Sequence, residues 1–176
     1  MINKEELRNF KLPLWEQLPD IDLYMDQVLS LIGKYFGGFA QDPENVTTSS
    51  MINNYVKAKI VPPPKKKKYD REHLSYFMMI FVFKRVLSIN QIGELFENLK
   101  KEMTVEQIYG AFRLELERAF GYVCAALSGE DPHIDPDGIP PMLKSAVDAY
   151  ANVVMFEILL DMKKAEDGGN EAPDAD

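Results

Sequence analysis

The chain has 176 residues and a mass of 20.1 kDa, with 46% hydrophobic and 27% charged residues and a formal net charge of −8. That balance supports one good core and excludes a disordered chain, an internal disulfide framework (the single cysteine is Cys124) and a uniformly basic nucleic-acid coat. The opening MINKEELRNFKLPLW lacks an apolar signal core, and the longest apolar run, Tyr76 to Phe83, falls far short of the roughly 20 residues of a membrane span, so a cytoplasmic protein is expected.

In chain order, residues 1–22 read as a short helix and an arm punctuated by Pro13 and Pro19, with Trp15 expected to pack the arm onto the body. Leu23 to Phe36 places Leu23, Val28, Leu29, Leu31, Ile32 and Tyr35 at helical spacings, and Gly37-Gly38 reads as the stop. From Thr47 a Thr/Ser run offers N-caps to a short helix. Its apolar stripe is Met51, Ile52, Tyr55 and Val56, which leaves Asn53, Asn54 and Lys57 off the stripe. Pro62, Pro63 and Pro64 stop any helix, and Lys65 to Lys68 follow on what must be an exposed loop. Strand signals are few, though Lys59-Ile60-Val61 and Lys68-Tyr69 are able to pair as a minimal wing.

Asp70 caps a predicted helix running to about Val86, apolar almost all round and therefore central. Ser88-Ile89-Asn90-Gln91 is a capping box opening a helix with Ile92, Leu95, Phe96 and Leu99, and the two helices form a hairpin. Thr104 to Gln107 is a second capping box, for a helix reaching Leu127. A last helix is predicted from Met142 to about Met162, with an apolar face broad enough for a lobe core or a dimer seam, and an acidic, disordered tail follows from residue 166.

Chemistry-bearing motifs are scarce. The loop Asp131-Pro132-His133-Ile134-Asp135-Pro136-Asp137-Gly138 hints at a cation but fails the calcium-loop spacing, because Pro136 takes the glycine position when counting starts at Asp131. No serine–histidine–acid set, zinc-spaced cysteines, phosphate-binding loop or dinucleotide fingerprint is present, so neither an enzyme nor a cofactor is expected. Charge is distributed unevenly: from Lys57 to Arg71 the only acidic residue is Asp70. A local basic face of this kind reaches phosphate over a Debye length of about 8–10 Å despite an acidic body.

Asn53-Asn54-Tyr55, Ile60-Val61-Pro62-Pro63, the basic run closing on Tyr69, then Leu74, Phe77 and Ile80, then Leu87-Ser88-Ile89 with Ile92 and Leu95, together resemble the MerR-type winged helix-turn-helix. The match covers roughly Thr47 to Leu99. More closely, LPDIDLYMDQV, MINNYVKAKIVPP and KKKYDREHL resemble a bacterial domain-of-unknown-function family, the YkrK-like group. The chain departs from the MerR pattern in a longer spacer before the Thr/Ser run, in Asn53-Asn54 where an arginine is usual, and in a wing of lysines.

The resemblance implies a mainly α fold: an N-terminal helix and arm (1–22), a MerR-like winged helix-turn-helix (23–99) and a C-terminal helical lobe (100–165) before the tail (166–176). It implies a bacterial transcriptional regulator binding double-stranded DNA. No long heptad helix follows directly, so the MerR family's coiled coil is not carried over, and the expected homodimer rests on the broad apolar face of the last helix. Thr48, Ser49, Ser50, Asn53, Asn54, Tyr55, Lys57 and Lys59 then lie on or beside the recognition helix, and Lys65, Lys66, Lys67, Lys68, Tyr69 and Arg71 form the wing. Asparagine suits the adenine edge in the major groove, and lysine suits phosphate. The alternative is a protein-interaction adaptor on the same scaffold.

Overall fold

A computed structural model describes residues 4–39, 46–129 and 138–168. The described chain is mainly helical and holds no strand: α1 (Lys4–Arg8), α2 (Met25–Phe36), α3 (Ser49–Lys57), α4 (Arg71–Phe83), α5 (Ile89–Leu99), α6 (Val105–Ser128) and α7 (Pro141–Gly168). Short 3-10 turns at Trp15–Gln17 and Gly37–Phe39 complete it.

The starts of the helices follow from capping chemistry. Asp70 Oδ1 accepts the His73 N–H at 3.2 Å, Ser88 Oγ the Gln91 N–H at 3.3 Å, and Thr104 Oγ1 the Gln107 N–H at 3.2 Å. Gln91 and Gln107 return the favour, their side-chain oxygens accepting the Ser88 and Thr104 N–H groups at 2.9 and 2.8 Å. Each exchange satisfies helix-end donors that would otherwise lack partners.

Helix α4 is the axis of the core. Every residue from His73 to Phe83 is buried, so beyond its first two residues α4 has no solvent face. Its aromatics reach three neighbours: Phe81 meets Phe36 of α2 at 4.3 Å between ring centroids, Tyr76 meets Phe96 of α5 at 5.1 Å, and Phe83 meets Phe112 of α6 at 5.5 Å. Burial of each such side chain is worth roughly 1.5–3 kcal/mol, so α4 contributes more than any surface helix can. The arm is tied down by Tyr109 of α6, whose hydroxyl donates to the Pro13 carbonyl at 2.9 Å and whose ring lies 6.2 Å from Trp15. A single hydrophobic cluster runs from Leu7 to Ile158 and passes without a break through the boundary expected near residue 100.

Helices α6 and α7 form the broadest contact, and a charge sits inside it. Glu115 is fully buried, with Arg118 donating to its two oxygens at 2.9 and 3.0 Å and Lys144 of α7 at 3.6 Å. Arg118 also pairs with Asp148 of α7, which Lys144 reaches at 3.2 Å. Buried charge is costly unless fully paired, so this network ties α6 and α7 to one relative placement.

Several predicted boundaries move. Helix α2 starts at Met25 because Leu23 is taken into a backbone pair with Tyr69, N–H to carbonyl both ways at 2.8 and 2.9 Å. The end of α2 does not move: it stops at Phe36 with Gly37 as its C-cap, and Gly37 keeps right-handed dihedrals (φ −56°, ψ −40°) that lead into the 3-10 turn Gly37–Phe39. Helix α4 ends at Phe83, and α7 continues to Gly168, which makes helix of residues 166–168 in the expected tail. The predicted wing does not form: Ile60 and Val61 turn into the core, Tyr69 pairs with Leu23, and Lys65 pairs with Lys68.

Candidate nucleic-acid interface

Helix α3 is built as its sequence demands. The Thr48 hydroxyl accepts the Met51 N–H at 3.3 Å, and Ile52 is fully buried. With that one anchor inside, the 3.6-residue period turns Ser49, Ser50, Asn53, Asn54 and Lys57 to solvent, while Thr48, Tyr55 and Val56 are half-buried. The helix ends in a Schellman motif: Lys59 N–H donates to Val56 carbonyl at 3.0 Å and Ile60 N–H to Tyr55 carbonyl at 3.1 Å. That motif needs a left-handed residue after the cap, normally glycine. Here it is Lys59, at φ 59°.

The lysine run repeats this choice. Lys65 and Lys68 exchange backbone hydrogen bonds at 3.1 and 2.9 Å around a two-residue loop, with Lys66 at φ 50° and Lys67 at φ 63°. Positive φ at both loop positions defines a type I′ turn, whose preferred residues are Asn and Gly. Among the described residues, every non-glycine residue with positive φ is one of these lysines: Lys59, Lys66 and Lys67. A left-handed backbone costs an L-residue about 1–2 kcal/mol, so three cations stand where glycine would be more stable.

The remaining residues of the predicted set are drawn inward. Tyr69 is 3% exposed and meets Phe77 edge-on, at 5.7 Å between centroids, so it is a core residue and not part of a wing surface. Arg71 is half-buried; it donates to the Leu18 carbonyl at 3.0 Å and its guanidinium lies 5.9 Å from the Trp15 ring, which occupies it in holding the arm. Lys68 is half-buried, with its ammonium 4.9 Å above the Tyr24 ring. Lys57, Lys59, Lys65, Lys66 and Lys67 are left as exposed cations. Asp20, Asp22 and Asp26, all exposed, flank Tyr24 and give this basic face an acidic border. At its base, burial works to raise the Asp70 carboxyl, but hydrogen bonds from the His73 side chain and backbone, with the nearby Lys65 charge, hold it below the usual carboxylate value.

Two residues outside the predicted set take part. Lys84, the C-cap of α4, donates to the Val46 carbonyl at 3.0 Å and lies 3.9 Å from the Met51 sulfur, so it braces the start of α3. Burial, with the adjacent Arg85 charge, pushes its pKa down. Arg85 donates to the Phe39 carbonyl at 3.1 Å. Cations just after an apolar helix read, in sequence, only as favourable charges at its C-terminus.

No group of histidine, cysteine and carboxylate side chains suited to a metal exists among the described residues, and the Asp131 to Asp137 stretch lies outside them. No helix among the described residues is long and apolar enough to cross a membrane. Residues 13–112 match a protein family described as a domain of unknown function, DUF1836. The chain belongs to that family. The matched span holds the arm, α2 to α5, the lysine turn and the first third of α6, so the DUF1836 unit contains the whole basic face. No curated protein and no solved structure matches the chain.

Proposed function

We propose that this DUF1836 protein binds double-stranded DNA through the outer face of α3 and the lysine turn, as a transcriptional regulator of helix-turn-helix type with the lysine turn in place of a wing. One observation carries the reading: Lys59, Lys66 and Lys67 hold backbone conformations that disfavour lysine. Strain of this kind concentrates at functional sites, and what the lysines bring that glycine lacks is charge. Phosphate contacts from the lysines fix register, and Asn53 and Asn54 face the base edges. The finer kinship with MerR-type domains rests on the order of residues from Thr47 to Leu99, and that with the YkrK-like group on LPDIDLYMDQV, MINNYVKAKIVPP and KKKYDREHL. A homodimer goes with this reading, and exposed Leu114 and Tyr122 of α6 with Leu159 and Met162 of α7 support it. A second reading, a protein-interaction adaptor, draws on Ile21 and Tyr24, 65% and 53% exposed within the acidic border.

Fluorescence anisotropy with random-sequence duplex across a salt series tests the proposal. Five exposed lysines engaging phosphate give a log–log slope of about −4.5. Joint replacement of Lys65, Lys66 and Lys67 by alanine flattens it by about 2.7, whereas Asn53→Ala with Asn54→Ala relaxes sequence preference and keeps the slope. Absence of duplex binding at low salt overturns the reading in favour of the adaptor.

A further inference from the structure

The residues that set the pose of α3 follow directly after α4 and are connected to α7. The chain leaves α2 through Phe39 and comes back towards α3 through Val46, and both are buried. The Phe39 ring is seated in the core, edge-on to Phe10 at 4.9 Å and stacked on Phe120 of α6 at 5.4 Å with planes 9° apart. Adjacent residues after α4 hold the two backbone carbonyls: Lys84 the one at Val46, Arg85 the one at Phe39. Lys84 has its ammonium 4.9 Å from the Phe81 ring centroid, a second fixed point for that side chain.

Arg85 differs from Lys84 in reaching a third element. While Nη1 donates to Phe39, Nη2 pairs with Glu157 of α7, and the guanidinium lies 5.6 Å from the buried Tyr150 ring, also of α7. The Arg85 and Glu157 side chains are 16% and 30% exposed, so water screens the pair only in part. A planar guanidinium bridges two acceptors with fixed geometry, which a single ammonium does not reproduce.

We propose that Arg85 and Glu157 are positioning residues for the nucleic-acid face: through them α7 sets the placement of α3. Glu157 orients the Arg85 fork, the fork fixes the chain where it leaves α2, and Lys84 fixes it where it enters α3. A change at α7 that withdraws Glu157 therefore loosens α3 without touching any residue of the basic face. The functional half of this inference rests on the DNA-binding reading; the structural half does not.

The test uses the full chain with Arg85→Lys, Arg85→Ala and Glu157→Gln, comparing amide hydrogen exchange by segment with duplex binding. Exchange over residues 49–57 rises roughly tenfold in Arg85→Lys and Glu157→Gln while α4 and α6 keep their protection, because local opening is independent of the global event. Duplex affinity falls several-fold in the same variants with the salt slope unchanged. Unaltered α3 exchange in all three variants overturns the proposal, and so does a slope lowered by about one unit in Arg85→Ala, which marks Arg85 as a direct phosphate contact. Should α3 loosen in a protein whose parent binds no duplex, the α7–α3 linkage stands and the DNA reading alone fails. Glu157→Gln, at a partly exposed position, keeps the test open if Arg85→Ala does not fold.

Discussion

The α4–α6 core and the lysine-bearing segment from α3 to Tyr69 are built on opposite terms. In the core, local and global preferences agree: from Tyr76 to Phe83 α4 is apolar on all sides and buried on all sides, and its cap, its rings and its neighbours ask for the same structure. In the lysine segment they conflict, with cations at three left-handed positions where glycine fits better. Stability is concentrated in the first region, and the second spends part of it. Conflict between local chemistry and backbone marks the surface where selection acts on something other than stability.

The largest effect expected from this contrast is in the core. Phe83→Ala removes a fully buried ring in contact with Phe112 and costs about 3–5 kcal/mol in urea unfolding; a loss below about 1 kcal/mol breaks the contrast, since that is the scale of surface changes. Next comes pH. Burial pushes Tyr76 and Tyr150 up to about 12, so the stability they contribute is complete below the ordinary tyrosine value and is lost as pH rises towards 12, at about 1.4 kcal/mol per pH unit for each.

Asp70, at the foot of the lysine turn, responds at the other end of the scale. Its carboxyl is held low, so its contribution is present above the unfolded value of about 3.9 and is lost as pH falls through the folded one. Asp70→Ala removes the α4 cap at a cost of about 1 kcal/mol and flattens that acid limb. The smallest effect is the most diagnostic. Lys66→Gly and Lys67→Gly each raise stability by up to about 1 kcal/mol while weakening duplex binding. If either lowers stability, the left-handed lysines are not strained and the contrast fails.

The regular parts of this fold could be read from sequence because their causes are local. Thr48, Asp70, Ser88 and Thr104 announce helix starts within four residues, and the period of Met51, Ile52, Tyr55 and Val56 places Asn53, Asn54 and Lys57 outside. What escaped was non-local or involved backbone. Tyr69 reads alike whether its ring turns in or out, and its partner Leu23 lies beyond two helices. Lys84 and Arg85 bind backbone carbonyls, which every residue has, so no side-chain pattern marks their partners. Lysine gives no sign of a left-handed backbone, so the type I′ turn was hidden in a run that looks like plain solubilising charge.

Helix α4 begins beside the lysine turn at Asp70 and ends at the Lys84 brace of α3. Its 13 residues make a rod of about 20 Å, buried throughout from His73 to Phe83. It is in effect a ruler: the gap between the turn and the start of α3 is a helix length counted in residues. Inserting or deleting a turn of α4 would change that gap in steps of about 5.4 Å, and any ligand that spans both features must match a dimension fixed inside the core.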